Sequence, residues 1–159
     1  MLARNGHQDH HQRVEALVGR WLEERQALIS AWSALQGAAP DGGDLPDCLE
    51  AFCEILMDYV SAGHFEVYDE LIAEAERLDS LDASGSQALL ERLRDTTDAA
   101  IRFNDLCDNP RDPLALVLLP RELPILALEL ESRFQTEDRL LAMLHDRAGV
   151  AAPDIGSNA

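Results

Sequence analysis

The chain contains no lysine, few aromatic residues and no long apolar run. All 13 basic residues are arginine, against 30 Asp plus Glu, which gives a net charge of −17. No segment approaches the roughly 18 consecutive apolar residues of a membrane-spanning helix. The N-terminus, residues 1–13, is polar and lacks the apolar core of a signal peptide. The sequence therefore predicts a cytoplasmic protein that does not enter a membrane.

The excess of negative charge limits the class of partner. Nucleic acid and anionic membranes are disfavoured as direct partners, because their phosphate groups would repel this chain. Two explanations of the acidity stay open, a basic protein partner or a high-salt cytoplasm in which acidic surfaces remain soluble. The absence of lysine fits either a GC-rich genome or a salt-adapted organism, and composition does not separate them.

The sequence also lacks the usual signatures of metal sites and of catalysis. Its three cysteines form no CxxC pair, and Cys48 and Cys53 are five residues apart, on different faces of a helix. We predict reduced, structural thiols. The histidine-rich residues 7–11 belong to a leader predicted to be disordered, so we predict no functional metal and no cofactor. No HExxH motif, glycine-rich phosphate loop or nucleophile turn is present, which favours a protein that is not an enzyme.

Helical periodicity dominates what is present. Apolar residues recur at alternating spacings of four and three, without strand-like alternation or internal repeats. The first helix carries its apolar positions at Val14, Val18, Trp21, Leu28, Trp32 and Leu35. We predict an all-α, antiparallel helical bundle over residues 13–148, with a disordered leader (1–12) and a disordered tail (149–159).

Two stretches are predicted to interrupt the helices. Ser61, Ala62 and Gly63 follow an apolar run and predict a helix break, or corner, just before His64. Pro120 and Pro124 follow the apolar segment Leu114–Leu119. A proline inside a helix costs about 3 kcal/mol or more. We therefore predict that the long C-terminal helix begins near Pro120 or Pro124, and that Leu114–Leu119 forms a short separate turn.

Three polar residues lie on or beside the apolar stripes. Arg25 is on the first helix, Glu137 on the last, and His64 at the predicted corner. Charged groups on an apolar stripe are rarely left unpaired, because isolated burial costs several kcal/mol. We predict that Arg25, His64 and Glu137 form a buried polar cluster, with Asp58 and Tyr68 nearby. The alternative is that each reaches solvent from the edge of its stripe.

Four stretches resemble one known family. They are residues 17–26 (LVGRWLEERQ), 52–68 (FCEILMDYVSAGHFEVY), 103–108 (FNDLCD) and 133–141 (RFQTEDRLL). In this order they resemble the Rsd/AlgQ family of anti-sigma factors over residues 13–147. The FNDLCD stretch brings the resemblance nearer to the AlgQ branch.

The resemblance implies a function for the bundle. Members of the family bind region 4 of the primary, sigma-70 type factor and sequester that factor from core RNA polymerase, typically in stationary phase. Region 4 is a basic helix-turn-helix module that recognises the −35 promoter element and docks on the polymerase flap. We expect the contact around residues 21–25 and 58–68, with these candidate residues: Trp21, Arg25, Asp58, His64, Phe65 and Tyr68. The alternative function is a helical bundle that binds a metal or small ligand in a polar pocket around His64.

Overall fold

The computed structural model describes residues 2–38 and 44–147, with the backbone alone at residues 2–5, 7, 8, 65 and 145–147. These residues form five α-helices and one π-helical turn, which confirms the predicted all-α class. The elements are α1 (Leu2–Gly37), α2 (Asp44–Ala62), the π turn (Gly63–Val67), α3 (Tyr68–Arg77), α4 (Ala83–Leu106) and α5 (Pro113–Arg147). Within these ranges no helix is both long and apolar enough to cross a membrane.

The helices pack as four rods, because α2, the π turn and α3 follow one another without a gap. α1 packs on α2, α2 on α4, and α4 on α5, while α3 contacts both α4 and α5. Short links at residues 78–82 and 107–112 join consecutive rods, an arrangement typical of antiparallel helical bundles. The apolar core between the rods includes Trp21, Leu28, Leu49, Phe52, Leu56, Leu71, Leu93, Phe103, Leu126 and Leu140.

Helix α1 follows the predicted stripe but begins earlier than expected. Val14, Trp21, Leu28 and Leu35 recur every seven residues and are all buried. The helix begins at Leu2 and so includes residues 2–12, which the sequence assigns to a disordered leader. A contact with α3 holds this extension, since His10 Nε2 lies 2.8 Å from Glu74 Oε2. The tail at residues 149–159 lies outside the described residues.

Helix α5 begins at Pro113, not near Pro120 or Pro124, and the predicted separate turn at Leu114–Leu119 is its first part. The Asp112 side chain accepts a hydrogen bond from the Leu114 backbone N–H at 3.0 Å. Proline at the first position of a helix needs no backbone N–H. The Asp-Pro pair at residues 112–113 was therefore the available start signal.

Pro120 and Pro124 lie inside α5 without ending it. Both are exposed, so carbonyl groups on their face of the helix that lose an N–H partner can bond water. The opposite face is buried on both sides of the prolines, at Ala115, Leu119, Leu126 and Leu130. This burial offsets the cost of the prolines, which is why the sequence-based start of the helix was wrong.

The predicted break at Ser61–Gly63 is a π turn within a continuous rod. In a regular α-helix, residues nine apart such as Tyr59 and Tyr68 point in directions about 180° apart. A π turn adds one residue to the helical register, and this reduces the angle between them to about 80°. A side chain at Gly63 would crowd the residues packed against it. A Cβ there would lie 2.9 Å from Tyr68 Oη and 3.0 Å from Arg133 Nη2.

Candidate functional site

A buried carboxylate, Glu137 of α5, lies at the centre of the bundle with no solvent exposure. The Tyr59 hydroxyl of α2 donates a hydrogen bond to Glu137 Oε1. The Tyr68 hydroxyl of α3 donates to Glu137 Oε2 at 2.6 Å. Both carboxylate oxygens are therefore hydrogen-bonded, and the two donors come from either side of the π turn.

Arg133 completes this cluster from one helical turn before Glu137. Its Nη1 donates to Thr97 Oγ1 at 2.8 Å and to Thr96 Oγ1 at 3.1 Å. Its Nε lies 3.8 Å from Glu137 Oε2 and makes no hydrogen bond. The guanidinium group also lies 5.2 Å and 5.0 Å from the ring centres of Tyr59 and Tyr68. We call Tyr59, Tyr68, Thr96, Thr97, Arg133 and Glu137 the polar centre.

Burial dominates the electrostatics of the polar centre. It raises the pKa of Glu137 to about 7, against the opposing effects of Arg133 and the two tyrosine hydroxyls. Burial, followed by the charge of Glu137, raises the pKa of both tyrosines well above their ordinary value, so they remain hydroxyl donors. The polar centre joins α2, α3, α4 and α5 from inside, which is a cross-linking role that needs no access from solvent.

Two residues of the predicted cluster, Arg25 and Glu137, have different direct partners. Arg25 of α1 pairs with Asp138, Nη1 to Oδ1 at 2.7 Å, and lies over the Phe134 ring at 4.4 Å from its centre. Its charge helps to lower the pKa of Glu137, although Asp138 is its direct partner. His64 is half-buried on the π turn. The cation packed beside Glu137 is Arg133, and Tyr68 is near Glu137 as predicted.

Sequence reasoning missed Arg133, which lies on the buried face of α5. The buried positions are Leu126, Leu130, Arg133, Glu137 and Leu140. Their spacings of four, three, four and three were readable in the sequence and place Arg133 on the seam. An arginine and a glutamate four residues apart on one helix face also form a pair by spacing alone.

His64 lines a surface cavity of about 430 Å³ between the π turn and α4, together with Met57, Val60, Ser61, Arg94, Thr97, Asp98 and Ile101. Thr97 links this cavity to the polar centre through its bond to Arg133. Across residues 2–38 and 44–147, no group of three or more His, Cys, Asp or Glu side chains is arranged to hold a metal ion. Cys48, Cys53 and Cys107 are free thiols.

The candidate contact residues differ in their availability. Trp21 and Tyr68 are each 1% exposed and pack edge to face, so neither can reach a partner in this conformation. Arg25 is half-buried against α5, and the Phe65 side chain lies outside the described residues. Asp58 is exposed on α2. The contact region around residues 21–25 and 58–68 stays a prediction, and Trp21 and Tyr68 form part of the core beneath its surface.

Three carboxylates from three elements form a surface patch around Asp58. Burial raises the pKa of Glu24 on α1, and the nearby charges of Asp58 on α2 and Glu66 on the π turn raise it further. One carboxylate oxygen of Glu24 is buried without a hydrogen-bond partner. We call Glu24, Asp58 and Glu66 the acidic patch. Two further exposed carboxylates, Glu50 and Glu54, extend it along α2.

Comparison with known proteins identifies the family. Residues 1–145 match the family model "Regulator of RNA polymerase sigma(70) subunit, Rsd/AlgQ". This chain belongs to the Rsd/AlgQ family. The resemblance noted in the sequence is thereby confirmed, while the nearer relation to the AlgQ branch stays a prediction.

Curated relatives match over most of their length. The chain is 28% identical over 144 residues to the "Regulator of sigma D" of Yersinia enterocolitica, covering 87% of this chain and 86% of the relative. It is 31% identical to that of Sodalis glossinidius, covering 79% and 85%. It is 32% identical to that of Enterobacter sp. strain 638, covering 82% and 81%. No solved structure matches this chain.

Proposed function

We propose that this protein is an anti-sigma factor that binds region 4 of the primary, sigma-70 type factor in the cytoplasm. By holding region 4 it keeps sigma from core RNA polymerase, and it does so in stationary phase. Membership of the Rsd/AlgQ family is the observation that carries the proposal. The protein acts by binding and not by catalysis: Glu137, the carboxylate with the most strongly raised pKa among the described residues, is fully buried and out of reach of a substrate.

The charge distribution supports a basic partner. At the acidic patch, burial and then the negative charges of Asp58 and Glu66 raise the pKa of Glu24, while Arg20 opposes them. A cationic side chain placed against the patch would relieve this repulsion. The net charge of −17 extends the attraction beyond contact distance and would accelerate association with a basic helix-turn-helix module.

Asp58 is the residue that we place at the contact with region 4. It is exposed, it belongs to the acidic patch, and it lies on the rod that carries the π turn. His64 lies six residues further along the same rod, and the polar centre beneath holds this rod in place. Rigid placement of a charged residue favours affinity, because less conformational freedom is lost on binding.

Titration calorimetry with isolated region 4 tests the proposal. We expect wild-type protein to bind in low salt, and Asp58→Arg to bind at least about tenfold more weakly, because reversing one charge of a close pair costs on the order of 2 kcal/mol or more. The matched control is Asp95→Arg, an exposed carboxylate on α4, which should bind within about twofold of wild type.

Salt dependence and transcription complete the test. The association rate should fall as ionic strength rises, because the screening length shrinks from about 10 Å at 0.1 M to about 3 Å at 1 M. Added protein should also reduce transcription from promoters that depend on the −35 element. Absence of binding by wild-type protein at micromolar concentration in low salt would overturn the assignment. Equal weakening by Asp95→Arg would remove the contact from Asp58.

A further inference from the structure

A stripe of exposed apolar residues lies on the outer face of α5. Leu114, Val117, Ile125 and Leu128 are 62%, 72%, 51% and 69% exposed. Their opposite face, at Ala115, Leu119, Leu126 and Leu130, is buried in the bundle. The four exposed residues, which we call the α5 stripe, therefore form a second apolar face on a helix that already has a buried one. Large apolar side chains exposed together on one helix face mark a candidate interaction site.

The α5 stripe is unsuited to the basic partner proposed above. Residues 113–130 contain only three charged residues, Arg121, Glu122 and Glu129. The charge on the stripe itself is Arg121, which is positive and would repel a basic module. The acidic patch lies on α1, α2 and the π turn, whereas the stripe lies on α5. The two surfaces therefore require different occupants.

The spacing of the stripe is the same in both chain directions. From Leu114 to Leu128 the stripe positions, with Arg121 in the middle, are separated by three, four, four and three residues. If two such helices packed antiparallel, with a twofold axis passing at Arg121, the stripe positions of one helix would lie opposite those of the other. Leu114 of one copy would then face Leu128 of the other, and Val117 would face Ile125. An interface of this kind is self-complementary, as twofold symmetry requires.

We propose that the α5 stripe is the interface of a symmetric homodimer with the two α5 helices antiparallel. Arg121 of each copy comes within reach of Glu122 of the other, which reduces repulsion at the axis. The net charge of −17 on each copy opposes association at low salt. Added salt therefore strengthens the dimer, because it screens this repulsion while apolar contacts persist.

Sedimentation velocity of the full chain tests the proposal. We expect a dimer that grows with protein concentration and with salt. Val117→Asp should weaken dimerisation at least about tenfold, since the substitution occurs twice in a symmetric interface. The control Ile101→Asp, an exposed apolar residue on α4, should dimerise like wild type, and circular dichroism checks that both variants fold. A wild-type monomer at every concentration and salt, or a dimer insensitive to Val117→Asp, overturns the proposal.

Disulfide cross-linking tests the register. Arg121→Cys should form a covalent dimer under mild oxidation, because the two positions meet at the axis. Leu114→Cys should not, since the two Leu114 positions would be about 21 Å apart along the helices. Wild type, with its own free thiols, gives the background. Cross-linking at Leu114→Cys but not at Arg121→Cys would overturn the antiparallel register. Loss of sigma binding in Val117→Asp would assign the stripe to sigma, and would leave the proposed function standing.

Discussion

Two regions of this bundle depart from the usual arrangement of apolar side chains inside and polar side chains outside. The polar centre places a carboxylate and a guanidinium where apolar side chains are expected, and the α5 stripe places four large apolar side chains in water. Hydrogen bonds inside the polar centre reach both oxygens of Glu137 and Nη1 of Arg133, although Nε of Arg133 has no hydrogen-bond partner. Within the described chain, no other segment covers the side chains of the α5 stripe.

This difference separates residues that serve the fold from residues that serve a partner. Breaking a satisfied buried network costs stability, since one charge is left without its partner. Removing an exposed apolar side chain costs almost none. Mutations in the polar centre should therefore change unfolding, and mutations in the α5 stripe or the acidic patch should change association. The following measurements examine the buried half of this comparison.

Glu137→Ala should give the largest effect, a loss of about 3–5 kcal/mol in the free energy of unfolding. The substitution leaves Arg133 charged and buried, and it removes the acceptor of both tyrosine hydroxyls. Denaturant unfolding measures the loss, and Glu131→Ala, an exposed glutamate on the same helix, is the control. A loss below about 0.5 kcal/mol would mean that the polar centre is hydrated in solution.

The second-largest effect should be a dependence of stability on pH. The folded pKa of Glu137, about 7, lies above its ordinary value of 4.5, so the folded state binds this proton more tightly than the unfolded state. The contribution of Glu137 is therefore most favourable below pH 4.5 and falls as pH rises to 7, by roughly 3 kcal/mol in total. The stability difference between wild type and Glu137→Gln should decrease accordingly between pH 5 and 8. A constant difference would contradict the raised pKa.

The sequence predicted the positions of some of these residues better than those of others. The helices and the buried position of Glu137 followed from periodicity, because burial of an apolar face decides where a helix lies. Arg133 and Arg25 were hard to distinguish in the sequence, because both are arginines near an apolar stripe. Neighbouring residues on a helix point about 100° apart, so an error of one residue in the position of a stripe changes which side chain is predicted to be buried. The small residues 61–63 were the sequence signal for the π turn. They did not reveal its geometry, because that geometry depends on packing against Arg133 on another helix. The acidic patch joins three elements, which no spacing along one helix could bring together.

Gly63→Ala should have an intermediate effect, a loss of about 1–3 kcal/mol. The added Cβ would press on Tyr68 Oη and Arg133 Nη2, and so would disturb the polar centre without removing any of its groups. Thermal or denaturant unfolding measures it. Gly19→Ala is the control, because nothing lies within 4 Å of a Cβ there; that variant should gain up to about 1 kcal/mol from helix propensity. A similar gain at Gly63 would show that Tyr68 and Arg133 move aside easily.

Asp138→Asn should have the smallest effect, a loss below about 1 kcal/mol. Asp138 is 61% exposed in its pair with Arg25, so water can replace most of what the carboxylate contributes. Arg25 keeps its position over the Phe134 ring, where apolar and cation–π contacts continue to join α1 to α5. Arg25→Ala should therefore cost more than Asp138→Asn in the same denaturant experiment. The reverse order would mean that the ion pair, and not the packing of Arg25, holds α1 against the edge of the polar centre.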